Sequence, residues 1–368
     1  MTTREFAHTD YCDELGPAKI VHVYDPRTQM RGIIVVDNIA CGPAIGGVRM
    51  APDVTTDEVF RLARAMTLKN AAAGLPHGGG KAGIVADPKS ANKSELVRAF
   101  ARAIRCLDEY IPGPDMGTNE TCMAWVNDET GRSVGLPRVI GGIPLDEIGA
   151  TGYGVAKCAE VAANYCDVEL DGATAVIEGY GNVGQHAARF LAEYGVELVA
   201  ASDSQNAVYD PDGIDIEQLT ELKHERRPVS DYGKGKVLAR EELFELPCDI
   251  LVPAARPDSI HAGNVGSIQA KLILQGANIP ATLEAEKTLH DQKILNIPDF
   301  IANAGGVFCA EVEYSGGTEK GAFEAISEKV MLNTNEMLQR CSETGQFPRD
   351  AAMDLARQRV LEAMSYRV

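Results

Sequence analysis

The sequence predicts an α/β protein of two domains: a mixed α/β N-terminal domain and a doubly wound second domain on a parallel sheet. Three observations predict it. The chain has 368 residues, more than one core ordinarily serves. Its first third mixes strand-like and helical stretches. From about residue 170, short apolar strands alternate with helices, the pattern of a parallel sheet with crossover helices. The Gly- and Pro-rich stretch LPRVIGGIPLDEIGATGYGV separates the two patterns, so the expected domains are 1–145 and 146–335. The tail reads as helical from about Gly321, and helices over about 336–368 are expected to rejoin the first domain.

In chain order, KIVHVYD and RGIIVVDN are β-branched and alternating or continuously apolar, as strands are. TTDEVFRLARAMTLKNAAAGL reads as a helix. Thr55 and Glu58 have capping-box spacing, and Val59, Leu62, Ala63 and Met66 follow at helical intervals. KSELVRAFARAIRCLDEYI reads as a second helix from about Ser94. Strands follow in ATAVIEGYG, VELVAASDS, CDILVPAA, AKLILQGAN and KILNIPDFIANAGG.

Composition excludes several classes of function. A net charge of −18 argues against a nucleic-acid partner and an anionic membrane surface. No run of 18 apolar residues occurs, so no membrane-spanning helix is expected. The first residues, MTTREFAHTDYCDELG, are polar and lack the apolar core of a secretory signal. The nine cysteines are scattered without a C-x-x-C pair. Neither a disulfide framework nor a metal site is expected, and the chain reads as cytoplasmic.

The strongest local motif is VIEGYGNVGQHAARFLAEYGVELVAASDS. Gly179, Gly181 and Gly184 form G-x-G-x-x-G between a strand and a helix from Val183 to about Tyr194, with a second strand ending at Asp203. Gly179 permits the tight turn, Gly181 admits a pyrophosphate to the backbone, and Gly184 lets the helix pack close to the strand. The helix N-terminus favours the diphosphate. Asp203 falls where a carboxylate takes the ribose hydroxyls, so the second domain is predicted to be a Rossmann-type NAD-binding domain. Asp203 would repel a 2′-phosphate, which favours NAD. Ser202 and Ser204 beside it leave NADP open.

A second motif is AGLPHGGGKAG, which ends in Lys81, with Lys69 upstream in MTLKNAAAGL. Ordinarily a lysine is a solvated surface cation. Neither of these stands in a charge run. Two lysines in one dry cleft would repel each other, and burial would lower their pKa further, toward general-base work. The three glycines would leave room for substrate and nicotinamide against bare backbone.

GPAIGGVRM, MTLKNAAAGLPHGGGKAGI, PGPDMGTNETCMAW, ATGYGV, EGYGNVGQHAA and FIANAGGVFCAEVEYSGG together resemble, in order, the motifs of the Glu/Leu/Phe/Val dehydrogenase family. The resemblance implies NAD(P)-dependent conversion of an L-amino acid and water to a 2-oxo acid and ammonium. It also implies a catalytic and oligomerising N-terminal domain, a cleft that closes against the Rossmann domain, and a homo-oligomer. Lys81 matches the catalytic lysine, Lys69 the lysine that holds the substrate α-carboxylate, and Asp115 the aspartate that moves protons at the substrate nitrogen. Without the resemblance, Asp115 reads as a turn residue between Pro and Gly. Thr151, Asn182, Val183, Ala254, Asn278 and Asn303 match cofactor- and substrate-proximal positions, and Gly46 belongs with the substrate-binding stretch.

Glutamate-using members resemble GPYKGGIR, and Ile45 holds the place of that lysine here. They also carry a serine three residues after the valine of NAGGV. Here that valine is Val307 and Ala310 stands at the serine's place. A distal carboxylate would be buried without a partner, at a cost of several kcal/mol. With Gly113 also small, the expected substrate is an apolar branched-chain or aromatic amino acid, as in leucine and phenylalanine dehydrogenases. GTNETCMAW and ASDSQNAVYDPDG look more like glutamate-type members. The alternatives are therefore a glutamate dehydrogenase, with Arg49 as a replacement cation, and a non-catalytic NAD-binding regulatory protein.

Overall fold

A computed structural model describes residues 11–367 of the chain. The stretch read for a secretory signal begins in residues 1–10, which lie outside the described residues. Among the described residues no helix is long and apolar enough to cross a membrane.

The chain forms two compact units. The first runs to Pro144 and takes in Ala310–Glu319 and the residues from Met353 onward. The second comprises Leu145–Cys309 and Lys320–Ala352. The expected split placed all of 336–368 with the first unit. Residues up to Ala352 lie instead in the second, where the Arg349 guanidinium bonds Glu286 and Asp299.

In the first unit five strands form one sheet: β1 (Lys19–Asp25), β2 (Met30–Asn38), β3 (Ala44–Ala51), β4 (Gly78–Val85) and β5 (Tyr110–Pro114). Their order is β1-β2-β4-β3-β5. β1 and β2 run antiparallel to their neighbours, while β3 is parallel to both β4 and β5. Side chains alternate across the sheet. Ile34 and Val36 of β2 enter the larger core with helices α2 (Lys93–Ala103) and α3 (Glu120–Thr130). Ile33 and Val35 face Val59 and Ala63 of helix α1 (Thr56–Ala72). The Thr55 side chain caps α1 by accepting the Glu58 N–H, as the spacing predicts.

Three strands of this unit, β3, β4 and β5, are not foreseen; in β3 and β4 the runs GG and GGG break the period-2 pattern. The second predicted helix also ends early: α2 stops at Ala103, and Tyr110 and Ile111 belong to β5. Arg132 donates to the carbonyls of Ile104, Leu107 and Tyr110, a distant cap that the local sequence does not reveal.

In the second unit, helices α4 (Leu145–Ile148) and α5 (Ala150–Ala162) precede β6 (Thr174–Glu178), α6 (Asn182–Ala192), β7 (Glu197–Ser202) and β8 (Ala207–Tyr209). Helix α7 (Ile216–His224), β9 (Lys236–Leu238), β10 (Ile250–Pro253), β11 (Leu272–Leu274), α8 (Leu283–Asp291), β12 (Leu295–Ile297) and α9 (Asp299–Ala302) follow. The sheet order is β12-β11-β10-β6-β7-β8-β9. Strands β12 to β7 are parallel, as expected. β8 and β9 add an antiparallel edge. Helices α10 (Gly305–Tyr314), α11 (Glu319–Thr344) and α12 (Pro348–Ser365) complete the chain.

Candidate active site

Lys81 lies near the middle of β4, flanked by β2 and β3, and is buried. Asp115 follows the last residue of β5, on the far side of β3. β3 can pass between them because residue 47 is glycine: a Cβ there would stand 2.7 Å from the Asp115 Cβ and 3.2 Å from the Lys81 Nζ. The two side chains meet over it, with Lys81 Nζ 3.0 Å from Asp115 Oδ1. Two residues placed together only by resemblance are thus in contact.

The other Asp115 oxygen is held by Arg49, whose Nε donates to Oδ2 at 2.8 Å. The Arg49 Nη1 bonds Glu58. Arg49 is therefore engaged by two carboxylates and does not stand as a loose cation for a substrate. Glu58 turns to Arg49, so only half of the predicted capping box forms. Sequence reasoning did not assign Glu58 to the site; its one signal was the cap spacing. Burial lowers the Lys81 ammonium below its usual value. The Asp115 charge opposes this, and the Arg49 charge adds to the lowering. The Arg49 charge is one source of the repulsion expected at Lys81.

Lys69 is half-buried in the last turn of α1. That helix covers β4 closely: a Cβ at Gly79 would lie 2.0 Å from the Thr67 backbone nitrogen. The neighbouring glycines serve the same end, since a Cβ at Gly78 would meet the Asn38 carbonyl and one at Gly80 the Tyr110 ring. The space beside the glycine run, expected for ligands, is filled by the protein's own backbone and by Tyr110.

Ile45, Ile111, Val134 and Ala310 form a small apolar cluster in the first unit. Gly113 borders it, for a Cβ there would lie 3.1 Å from a Val134 methyl. Gly46 is buried, and its carbonyl accepts the Tyr110 hydroxyl at 2.8 Å. Val307 belongs to the second unit, three residues before Ala310, and is half-buried.

In the second unit the G-x-G-x-x-G loop joins β6 to α6. Gly179 has φ +91°, and a Cβ at Gly184 would lie 2.2 Å from the Gly179 carbonyl, so the helix packs on the turn as predicted. Gly181 is the N-cap of α6 and no side chain caps it. A Cβ there would meet nothing within 4 Å. An open approach to uncapped helix N–H groups fits a dinucleotide diphosphate. Val183 and Ala254 gather around Gly276 at the carboxyl ends of β6, β10 and β11. Asn303 Nδ2 donates to Asn278 Oδ1 at 3.0 Å and to the Ala277 carbonyl at 3.2 Å. Thr151 lies beside Gly306, and Asn182 donates to the Asp146 carbonyl at 2.7 Å. Asn182, Val183, Ala254, Asn278 and Asn303 thus lie near the carboxyl ends of the parallel strands, where such folds bind ligands.

Asp203 follows the end of β7. Its carboxylate is bonded by Lys223 and by three backbone N–H groups, and Ser202 Oγ accepts the Gly179 N–H at 3.1 Å. Both side chains, placed by the sequence at the ribose end of the nucleotide site, are engaged within the protein.

Residues 17–132 match the family model described as Glu/Leu/Phe/Val dehydrogenase, dimerisation domain. Residues 141–367 match that of Glutamate/Leucine/Phenylalanine/Valine dehydrogenase. The chain is 41% identical over 355 residues to a glutamate dehydrogenase of Aeropyrum pernix, covering 90% of this chain and 85% of the relative. Among solved structures, a leucine-bound hetero-hexameric glutamate dehydrogenase of Thermus thermophilus superposes with a TM-score of 0.82. It is 30% identical and covers 96% of this chain and 90% of that one. An L-tryptophan dehydrogenase of Nostoc punctiforme gives 0.76 at 27% identity, covering 95% and 98%. With both domains matched in order, the chain belongs to the Glu/Leu/Phe/Val dehydrogenase family.

Proposed function

We propose that this chain catalyses the reversible oxidative deamination of L-glutamate: glutamate, NAD(P)+ and water give 2-oxoglutarate, ammonium, NAD(P)H and a proton. The chain is an NAD(P)-dependent amino acid dehydrogenase acting on CH–NH2 donors. Glutamate is favoured by similarity to a protein named glutamate dehydrogenase over nine-tenths of the chain. The geometry that carries the chemistry is the buried contact between Lys81 and Asp115.

A nucleotide held along the G-x-G-x-x-G loop would supply the hydride acceptor for the substrate Cα. Lys81, its ammonium destabilised by burial, loses a proton readily and takes one from the water that adds to Cα. Asp115 moves protons to and from the substrate nitrogen. Lys69 holds the α-carboxylate. Gly179, Gly181, Gly184, Asn182 and Val183 receive the diphosphate. Ala254, Asn278 and Asn303 line the sheet edge beyond it. The match to a dimerisation domain supports self-association.

A second reading, an apolar amino acid as substrate, is favoured by one observation. Ile45 and Ala310, at the places of the lysine and serine of glutamate-using members, pack with Ile111 and Val134. A carboxylate among them would lack a partner.

Measuring kcat/KM for glutamate, leucine and phenylalanine with NAD+ and NADP+ decides between the readings. Glutamate as best substrate is the expected result. A preference of tenfold or more for leucine or phenylalanine would replace it by the second reading. No turnover with any amino acid, despite nucleotide binding, would leave the non-catalytic alternative.

A further inference from the structure

The end of β7 is tied to the glycine loop, because the Tyr180 N–H donates to the Ser202 carbonyl at 2.6 Å. The next residue, Asp203, occupies the position from which an acid selects NAD by binding the ribose hydroxyls and repelling a 2′-phosphate. Here its acceptors are already used. Oδ1 takes the N–H groups of Gln205 and Asn206 at 2.9 and 3.3 Å. Oδ2 takes the Val229 N–H at 2.9 Å and the Lys223 ammonium at 2.7 Å. A carboxylate has about four lone-pair sites, and all four have donors. Both side chains of the ion pair are largely buried, at 19% exposure for Lys223 and 10% for Asp203. The pair is screened less than one at the surface.

We propose that Lys223 determines cofactor specificity: by closing the ion pair on Asp203 it leaves the acidic position without net charge or free acceptor, so NADP is admitted alongside NAD. The ammonium has three N–H groups, and Asp203 takes one of them. The position that should repel a 2′-phosphate therefore presents a cation and its bonded carboxylate together.

This inference rests on the proposed placing of the nucleotide along the G-x-G-x-x-G loop. Calorimetric titration tests it with NAD+ and NADP+ on wild type, Lys223→Met and the double variant Asp203→Asn/Lys223→Met. For wild type, dissociation constants within about tenfold of each other are expected. Lys223→Met leaves the carboxylate charge uncompensated, so NADP+ should weaken at least about tenfold more than NAD+. The double variant removes that charge and should recover most of the NADP+ affinity. A role in the loop's fold alone would weaken both nucleotides equally in Lys223→Met, and that result would overturn the proposal. Unchanged affinity for both would also overturn it, while wild-type binding of NAD+ would leave the proposed function standing. Wild type that binds neither nucleotide would defeat both.

Discussion

Lys81 and Asp115 form a pair whose members are set by different neighbours. Lys81 is destabilised as a cation by burial, whereas Asp115 is held from its other side by Arg49. Replacing Lys81 by alanine should lower kcat/KM by about 10²–10⁴-fold. NAD+ affinity should hold, because Lys81 lies outside the glycine loop and in the other unit. A rate above about a tenth of wild type would remove Lys81 from the chemistry. Asp115→Asn keeps the shape and should lower kcat by orders of magnitude with little effect on cofactor affinity. A near-normal kcat with an unchanged pH profile would return Asp115 to a turn role. The lowered ammonium also couples to stability. Between the folded value and the ordinary value of about 10.5, the unfolded chain binds the extra proton. Stability therefore rises with pH across that window, and the penalty is complete below it. Lys81→Met should accordingly raise the melting temperature at pH 7, with the gain shrinking as pH approaches 10.5. A gain that is constant from pH 7 to 10 would contradict this origin.

Strand β4 shows what an element can demand that its sequence hides. Its glycines are there for close approach, since Gly79 lies under the α1 backbone and Gly80 under Tyr110. Gly79→Ala would press a methyl onto main-chain atoms that have nowhere to go, and should cost about 3 kcal/mol or more. Gly113→Ala faces only a Val134 methyl at 3.1 Å and should cost about 1 kcal/mol or less. Urea midpoints for the two variants should differ in that order; equal midpoints would mean that α1 does not sit tightly on β4. Helix α1 was legible from its cap and its spacing. So were the five parallel strands of the second unit, each a short apolar run. β3 and β4 were not, since strings of glycine carry neither period. The end of α2 was hidden because its terminator, Arg132, lies far along the chain. At the site, motif resemblance pointed to Lys81 and Asp115. The clamp by Arg49 and Glu58 depends on β3, β5 and α1 meeting in space, which spacing along the chain does not encode. The same holds for Asp203 and Lys223, which are 20 residues apart.

Across the whole molecule the last helix, α12, serves both units. Its residues up to Ala352 belong to the second unit and those from Met353 to the first. Two arginines do the holding. Arg349 bonds the buried carboxylates of Glu286 and Asp299, and Asp299 in turn accepts the Ile279 N–H beside Asn278. Arg359 donates to the carbonyls of Ala71 and Ala72, at the end of the helix that carries Lys69. Ten residues apart on one helix, the two arginines should fail differently. Arg349→Met leaves two buried carboxylates without their cation and should destabilise by about 3–5 kcal/mol. Arg359→Ala leaves the α1 C-terminal carbonyls short of a charged donor, at about 1.5–3 kcal/mol. Hydrogen exchange locates each loss. Arg349→Met should speed exchange in β11, α8 and β12, with β1 to β5 little changed. Arg359→Ala should speed it in the last turns of α1 and spare β11 and β12. If either variant loosened both sets of elements to the same degree, the two units would not be separately stabilised, and α12 would act as one strut rather than as two anchors.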